Sequence, residues 1–419
     1  MEKIEATFRI VTPMFIGGAN QDPSDGIRPP SVKGILRFWW RALNWGEAYK
    51  QAKGNKSKAL KILHEKEIFL FGGAANFNKK SGQGIFLLTV SHDPLNIVRE
   101  GVVHEDFIQG SSSSGLSSAR YLAYGLMHSF PSSKKNTRAG ELIRGSINHN
   151  QGFNVALLFK GEPDESILSA LKLLGLVGGL GSRSRNGMGS ITLEKLSRDK
   201  EIIWSCPESV EDYSRVLNQL LPCLEEIPPA DYSAFSLQTS VDILLKSTDP
   251  IQVLDKIGQK ILDFRSWGQS SRGNKLPSGN ASEMRFEDDH DWYKNVNSFR
   301  TFNPDFHPVR VIFGLPHNYS DKEYDCVTSS LYERRSSPLF FHVHKISERQ
   351  YIGVSVLLPA LFLPKKDLIE AGKNNEVAQN INWGILNELI SGREGKNSSG
   401  VFRFPNRTSV VTPLCEEAQ

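Results

Sequence analysis

Cysteine is scarce: the 419 residues hold only Cys206, Cys223, Cys326 and Cys415, and no two form a C-x-x-C pair. This argues against a disulfide framework and against a cysteine zinc site, and a reducing cytoplasm is the expected location. No apolar run is long enough to span a bilayer. The first ten residues are charged and alternating, unlike a secretory signal, so no membrane partner is expected. Excess charge is lacking too. The net value is +4, from 50 Lys and Arg against 46 Asp and Glu, so a nucleic-acid partner would need a local patch and not a global field. The motifs G-x-S-x-G and H-E-x-x-H are missing, and no GK[ST] closes a glycine run. No cofactor, metal or catalytic residue is expected on these grounds.

The most informative stretch present is Ile27 to Ala42, I-R-P-P-S-V-K-G-I-L-R-F-W-W-R-A. Pro29 and Pro30 stop any earlier helix, and Ser31 reads as the N-cap of a new one. Lys33, Arg37 and Arg41 recur every four residues and form a cationic stripe, while Ile35, Phe38, Trp39 and Ala42 form the packing face. Gly34 in the first turn would let a phosphate reach free N–H groups, with Arg28 pointing into the same space. Trp40, the second of two adjacent tryptophans, offers further aromatic surface.

A glycine-rich run, Gly178 to Gly189, joins a predicted helix to a predicted strand. Gly179, Gly181 and Gly187 allow close main-chain approach, and Arg183 and Arg185 supply fork-shaped donors for phosphate. Taken alone, the run reads equally well as a tight packing turn. Arg334 and Arg335, beside Ser336 and Ser337, form either a second phosphate contact or a solvated strand start. His342 and His344 share one strand face without an obvious third ligand. Asp288 to Asp291 read as a polar loop. His149, between two asparagines, is the one local candidate for a general base.

The expected element order of the first half is β-α-β-β-α-β, the ferredoxin-like pattern. Its strands are Ala6 to Thr12, Gly84 to Val90, Gly152 to Lys160 and Ser190 to Leu196, with helices after Ser31 and over Ser166 to Val177. The basic run from Lys50 to Lys66 reads as a solvated helix face or loop. Residues 91–150 read as an insertion reaching out from the sheet, with Ser111 to Gly115 and Lys134 inside it. In the second half, strands are expected over Phe235 to Leu245, Val309 to Leu315, Pro338 to Lys345, Tyr351 to Leu358 and Val401 to Val411. Helices are expected over Ile251 to Phe264, capped near Asp249 and Gly268, and over Asn382 to Ile390. The expected organisation is a domain over 1–200, a charged connection over 201–232, and a second domain over 233–419 with a polar insertion near 268–291.

Four stretches carry a resemblance: Thr12 to Ala19 (T-P-M-F-I-G-G-A), Arg28 to Ala42, Tyr121 to Gly125 (Y-L-A-Y-G) and Gly178 to Ser190. Together they resemble the RAMP superfamily of CRISPR–Cas proteins, more narrowly the first RAMP subunit of type III-B (Cmr) effector complexes. Phe286 to Lys294 and Arg334 to Val343 agree with that subunit's C-terminal region. The resemblance implies an α+β fold of two ferredoxin-like (RRM-like) domains packed together, with insertions. It implies a non-catalytic RNA-binding subunit in antiviral defence that caps the backbone filament near the 3′ end of the guide RNA. Its partners would be guide RNA, single-stranded target RNA and other Cmr subunits, chiefly the backbone RAMP subunit. The RNA contacts read from the residues themselves are Arg28, Lys33, Gly34, Arg37, Trp40, Arg41, Gly179, Gly181, Arg183, Arg185, Gly187, Arg334 and Arg335, with Lys33, Arg37, Arg41, Arg183 and Arg185 expected to line one groove. The competing reading is a metal-independent endoribonuclease acting on guide RNA.

Overall fold

Alternating apolar and polar residues at the start of the chain make strand β1, Glu2–Ile10, whose Ile4, Ala6, Phe8 and Ile10 are buried. The computed structural model describes residues 2–73, 82–110, 117–133, 135–221, 224–268, 273, 275–276, 281–298, 306–319, 326–371, 376–392 and 403–412. Ser111 to Gly115, Lys134, Cys223, Val401, Cys415 and part of the 268–291 stretch lie outside these.

Pro29 and Pro30 are the first two residues of helix α1, Pro29–Gln51, with Arg28 at the cap. Proline suits that place because the first N–H groups have no intrahelical partner. Ser31 therefore lies inside the helix and is not its cap. The helix buries Val32, Leu36, Trp39, Trp40, Leu43 and Trp45. The basic segment and the apolar run after it form one helix, α2, Lys56–Phe71, capped by Asn55, whose side chain accepts from the Lys58 N–H.

Strands β2 (Phe86–Ser91) and β3 (Gly152–Phe159), helix α3 (Glu165–Val177) and strand β4 (Ile191–Arg198) follow. The stretch expected to be a connection instead begins with strand β5, Glu201–Ser205, and helix α4, Val210–Leu220. Strand β5 pairs with β4, so the first sheet runs β2-β3-β1-β4-β5, antiparallel throughout. The second half supplies β6 (Ser240–Ser247), α5 (Pro250–Arg265), α6 (Glu287–Ser298), β7 (Leu339–Ser347), β8 (Gln350–Leu357), α7 (Gly384–Ser391) and β9 (Thr408–Val411). Its main sheet runs β7-β8-β6-β9, also antiparallel. The architecture is α+β, with antiparallel sheets and helices in both halves.

Several local expectations are corrected. Val309 to Leu315 is a 3-10 helix, Val309–Phe313, followed by a two-residue strand. Buried Asp289 holds it there by accepting from the Val309 and Arg310 N–H groups at 2.8 and 3.1 Å and from Arg310 Nε at 2.8 Å. The Asp288 to Asp291 run is thus the first turn of α6 and not a loop. Helix α5 ends at a Ser266 cap, short of Gly268. The insertion near 91–150 does not reach outward: Phe107, Leu122, Leu126 and Met127 are buried in one core with Leu254, Ile257 and Ile261 of α5. There Ser118 N–H donates to Asp255 Oδ1 at 2.6 Å.

The halves meet along one edge of β7, which pairs with β8 on its other side. Three alternate N–H groups on the free edge find acceptors in the first half. Phe341 donates to the Arg185 carbonyl at 2.7 Å, Val343 to Ser190 Oγ at 3.1 Å and Lys345 to Thr192 Oγ1 at 3.1 Å. Ser190 Oγ in turn donates to the Gly187 carbonyl, as does Thr12 Oγ1. His342 and His344, which alternate with these residues along β7, are fully buried. The ring of His344 lies 4.8 Å from that of Tyr213 and its Nε2 is 3.6 Å from Cys206 Sγ.

Thr192→Val keeps the shape but leaves the Lys345 N–H buried without an acceptor. It is expected to lower stability by about 1–3 kcal/mol in urea unfolding. Burial holds His344 at a pKa of about 3 and His342 well below its ordinary value. Unfolded imidazoles take up a proton below about pH 6.5, so the unfolded chain binds more protons over that interval. Stability should therefore fall as pH drops from about 6.5 toward 4, and His344→Phe should flatten the fall. An unaltered slope in that variant would refute the assignment.

Candidate nucleic-acid interface

The start of α1 offers fewer free donors than a helix N-terminus usually does. Pro29 and Pro30 have no N–H, and the Ser31 and Val32 N–H groups both donate to the Arg28 carbonyl, at 3.0 and 3.3 Å. Gly34 lies beyond that first turn, exposed, with nothing within 4 Å of where a Cβ would stand. The expected binding of phosphate by main-chain amides at Gly34 is thus corrected. Side chains dominate this end instead. Arg28 is exposed there, and Ser31 lines a pocket of about 250 Å³. The pocket is also lined by Phe15, Ile16, Gly17, Arg144, Gly181 and Ser182. Arg144 Nη1 donates to Ser182 Oγ at 3.1 Å.

The glycine-rich run is locked against its neighbours. The Ser182 N–H donates to the Phe15 carbonyl and the Gly189 N–H to the Pro13 carbonyl. Gly181 and Gly187 have φ of +89° and +86°, and a Cβ at Gly181 would stand 2.5 Å from the Phe15 oxygen. A Cβ at Gly179 would meet the Gly189 oxygen at 2.8 Å. These glycines let the chain approach its own main chain, which is the packing-turn reading. What faces outward is the short arc from Gly181 to Arg183.

The arginines divide sharply. Arg185 turns inward: its guanidinium lies 4.2 Å from the Phe340 ring centre and 5.4 Å from that of Phe38, and Nη1 donates to the Ser337 carbonyl at 2.6 Å. Burial first, and then the Arg335 cation, brings its pKa down to about 10. Arg335 donates to the Phe362 and Leu361 carbonyls at 2.5 and 3.2 Å. Both are rivets of the fold, and neither fork is free for phosphate. Arg183 is exposed, with φ of +58°, and Nε donates to the Tyr124 carbonyl at 2.9 Å. Desolvation and then the nearby Arg334 cation lower its pKa. Arg334 is exposed as well.

The cationic stripe of α1 does not join this group. Ser31 and Phe38, seven residues apart, share the face toward the glycine run, and Lys33, Arg37 and Arg41 lie on another. Arg37 Nε and Arg41 Nη1 both donate to Glu67 Oε1 of α2, at 2.7 and 3.0 Å, and that carboxylate is buried. Lys33 Nζ stands 5.8 Å from the Phe86 ring centre, and desolvation lowers its pKa. Trp40 is fully buried, with Nε1–H donating to Ser166 Oγ at 2.7 Å, so neither of its ring faces is open to a base. The expected single groove holding Lys33, Arg37, Arg41, Arg183 and Arg185 is therefore corrected: Glu67 draws Arg37 and Arg41 to α2, Lys33 lies over Phe86, and the second half draws Arg185 inward.

Arg144 and Ser182 are not marked as site residues by the sequence. Their meeting joins residues 38 positions apart, and no local signal points to it. Asp106 is equally silent in the sequence: its Oδ2 lies 3.0 Å from Nδ1 of half-buried His149, and buried His104 approaches the same oxygen at 3.8 Å. Among the described residues no group of three or more His, Cys, Asp or Glu is placed to hold a metal ion. None of the helices described is long and apolar enough to cross a membrane.

Comparison with known proteins agrees with this architecture. The RAMP superfamily model matches residues 7–192, slightly under half the chain. The curated protein "CRISPR system Cmr subunit Cmr1-2" of Pyrococcus furiosus is 26% identical over 199 residues, which are 46% of this chain and 96% of that one. The apo crystal structure of Cmr1 from Pyrococcus furiosus superposes with a TM-score of 0.55 at 17% identity, covering 98% of this chain and 99% of the other. A chain of a type III-B Cmr-beta complex bound to cognate target RNA covers 93% of this chain and 98% of its own, at 13% identity and a TM-score of 0.47. Residues 7–192 are thus similar to the RAMP superfamily, and the fold of the chain as a whole is similar to that of Cmr1.

Proposed function

We propose that this chain is a non-catalytic RNA-binding subunit of a type III-B CRISPR effector complex. In this reading it caps the filament of backbone RAMP subunits near the 3′ end of the guide RNA and helps capture single-stranded target RNA. Each half carries a β-α-β-β-α-β order whose sheet stands second-third-first-fourth, which supports two ferredoxin-like units packed together.

One observation carries the RNA reading. A continuous outward rim runs from the Arg144–Ser182 pocket past Arg183 to Arg334. Among the described residues, the neighbours of these cations are a hydroxyl, a carbonyl and one another, not a carboxylate. Arginines placed so are free to hold backbone phosphates with their forks. The contrast with Arg37 and Arg41, tied to Glu67, makes the reading testable on the full chain and on the assembled complex. Arg144→Ala combined with Arg183→Ala should weaken binding of a labelled single-stranded RNA about tenfold or more. It should also reduce the log–log salt slope by roughly 0.7 for every phosphate that is no longer neutralised. Arg37→Ala should leave affinity within about twofold. Equal binding by the wild type and the double variant refutes the rim as an RNA site.

The endoribonuclease reading has one observation in its favour, the orientation of His149 by Asp106, since a general base needs a partner that fixes its ring. In EDTA, the purified chain is expected to leave labelled guide and repeat RNA intact. Specific cleavage that vanishes in His149→Ala would replace the proposal with the enzyme.

A further inference from the structure

Tyr124 is 60% exposed, a large aromatic ring left in solvent, yet its main chain is held firmly. Its carbonyl accepts from Arg183 Nε at 2.9 Å, and its N–H donates to the Tyr121 carbonyl at 3.3 Å. Two residues earlier the Leu122 carbonyl accepts from Asn186 Nδ2 of the glycine-rich run at 3.0 Å. Gly125 follows with φ of +83° and points its missing Cβ toward Arg183 Nη2, 3.7 Å away. The phenol lies within electrostatic reach of Arg183, as does the Arg334 cation. The turn leading to Arg334 exposes Leu331 and Tyr332 as well. An exposed ring whose own carbonyl holds Arg183, with the Arg334 cation next to that guanidinium, has the make-up of a single-strand stacking platform: a π-face for a base and forks for neighbouring phosphates. Arg183 is held in a left-handed backbone conformation that an arginine seldom adopts, and the Tyr124 carbonyl is what its side chain grips.

We propose that Tyr124 is a base-stacking residue, and that one nucleotide of a single-stranded RNA lies over its ring while Arg183 and Arg334 hold the adjoining phosphates. This rests on the RNA-binding reading above and adds to it the place where a base, and not only the backbone, is held.

The test uses the full chain and an RNA carrying 2-aminopurine, whose fluorescence falls when the base stacks. Wild type and Tyr124→Phe should bind alike and quench alike. Tyr124→Ala should lose about tenfold in affinity, within the range for loss of one base–aromatic stack, and should lose the quenching at one nucleotide position. If Tyr124→Ala binds and quenches like the wild type while Arg144→Ala with Arg183→Ala loses binding, the stacking site is overturned and the RNA rim stands. If the wild type binds no RNA, both fall together. If Tyr124→Ala keeps RNA affinity but no longer assembles with the other subunits of the complex, the proposal is overturned and the ring belongs to a protein contact.

Discussion

The structure depends on how the free edge of β7 is satisfied. An unpaired strand edge presents N–H groups that must find acceptors when buried. Here Phe341, Val343 and Lys345 donate to the Arg185 carbonyl, Ser190 Oγ and Thr192 Oγ1. Two of the three acceptors are side-chain hydroxyls, so the halves are joined without merging their sheets. The same contact sets the register of the glycine-rich run. With the Arg185 carbonyl committed to β7, its guanidinium falls between Phe38 and Phe340, and Arg183, two residues earlier, is turned outward. The seam that joins the halves thereby also decides which arginine is available to a ligand.

Charge is handled in two ways. On the α2 side of α1, the one buried carboxylate of Glu67 takes two guanidinium groups and turns a cationic stripe into a clamp between helices. On the rim, Arg144 and Arg183 are positioned by neutral partners, a hydroxyl and a carbonyl, and among the described residues neither is paired with a carboxylate. Neutral positioning of this kind suits a polyanion: the cation is oriented in advance, and no carboxylate has to be displaced when a phosphate arrives.

Much of the fold is legible in the residues. Alternation from Ala6 locates β1, and the apolar run Ser166 to Val177 locates α3. The departures have physical causes. The 201–220 stretch reads as a connection because its charges and the prolines beyond it mask a short strand at a sheet edge, E-I-I-W-S, whose apolar residues are consecutive and mostly exposed and so do not alternate. Val309 to Phe313 is apolar and β-branched like a strand, but Asp289, from a distant helix, takes its first N–H groups and winds it into a 3-10 turn. The 91–150 region looks like an excursion because its buried residues are spread irregularly, and their core is completed by distant residues, those of α5 among them.

The sequence by itself determined the local chemistry: which residues repeat on a helix face, where glycine permits a tight main-chain approach, and that arginines and aromatics concentrate in two distant segments. It also carried the superfamily resemblance. The tertiary structure alone decided which of those arginines meet carboxylates, which meet carbonyls and which meet water, because helical periodicity names the residues sharing a face and says nothing of what lies across from it. Glu67 comes from the next helix, Ser337 from the other half, and Arg144 from a loop 38 residues before the hydroxyl it contacts.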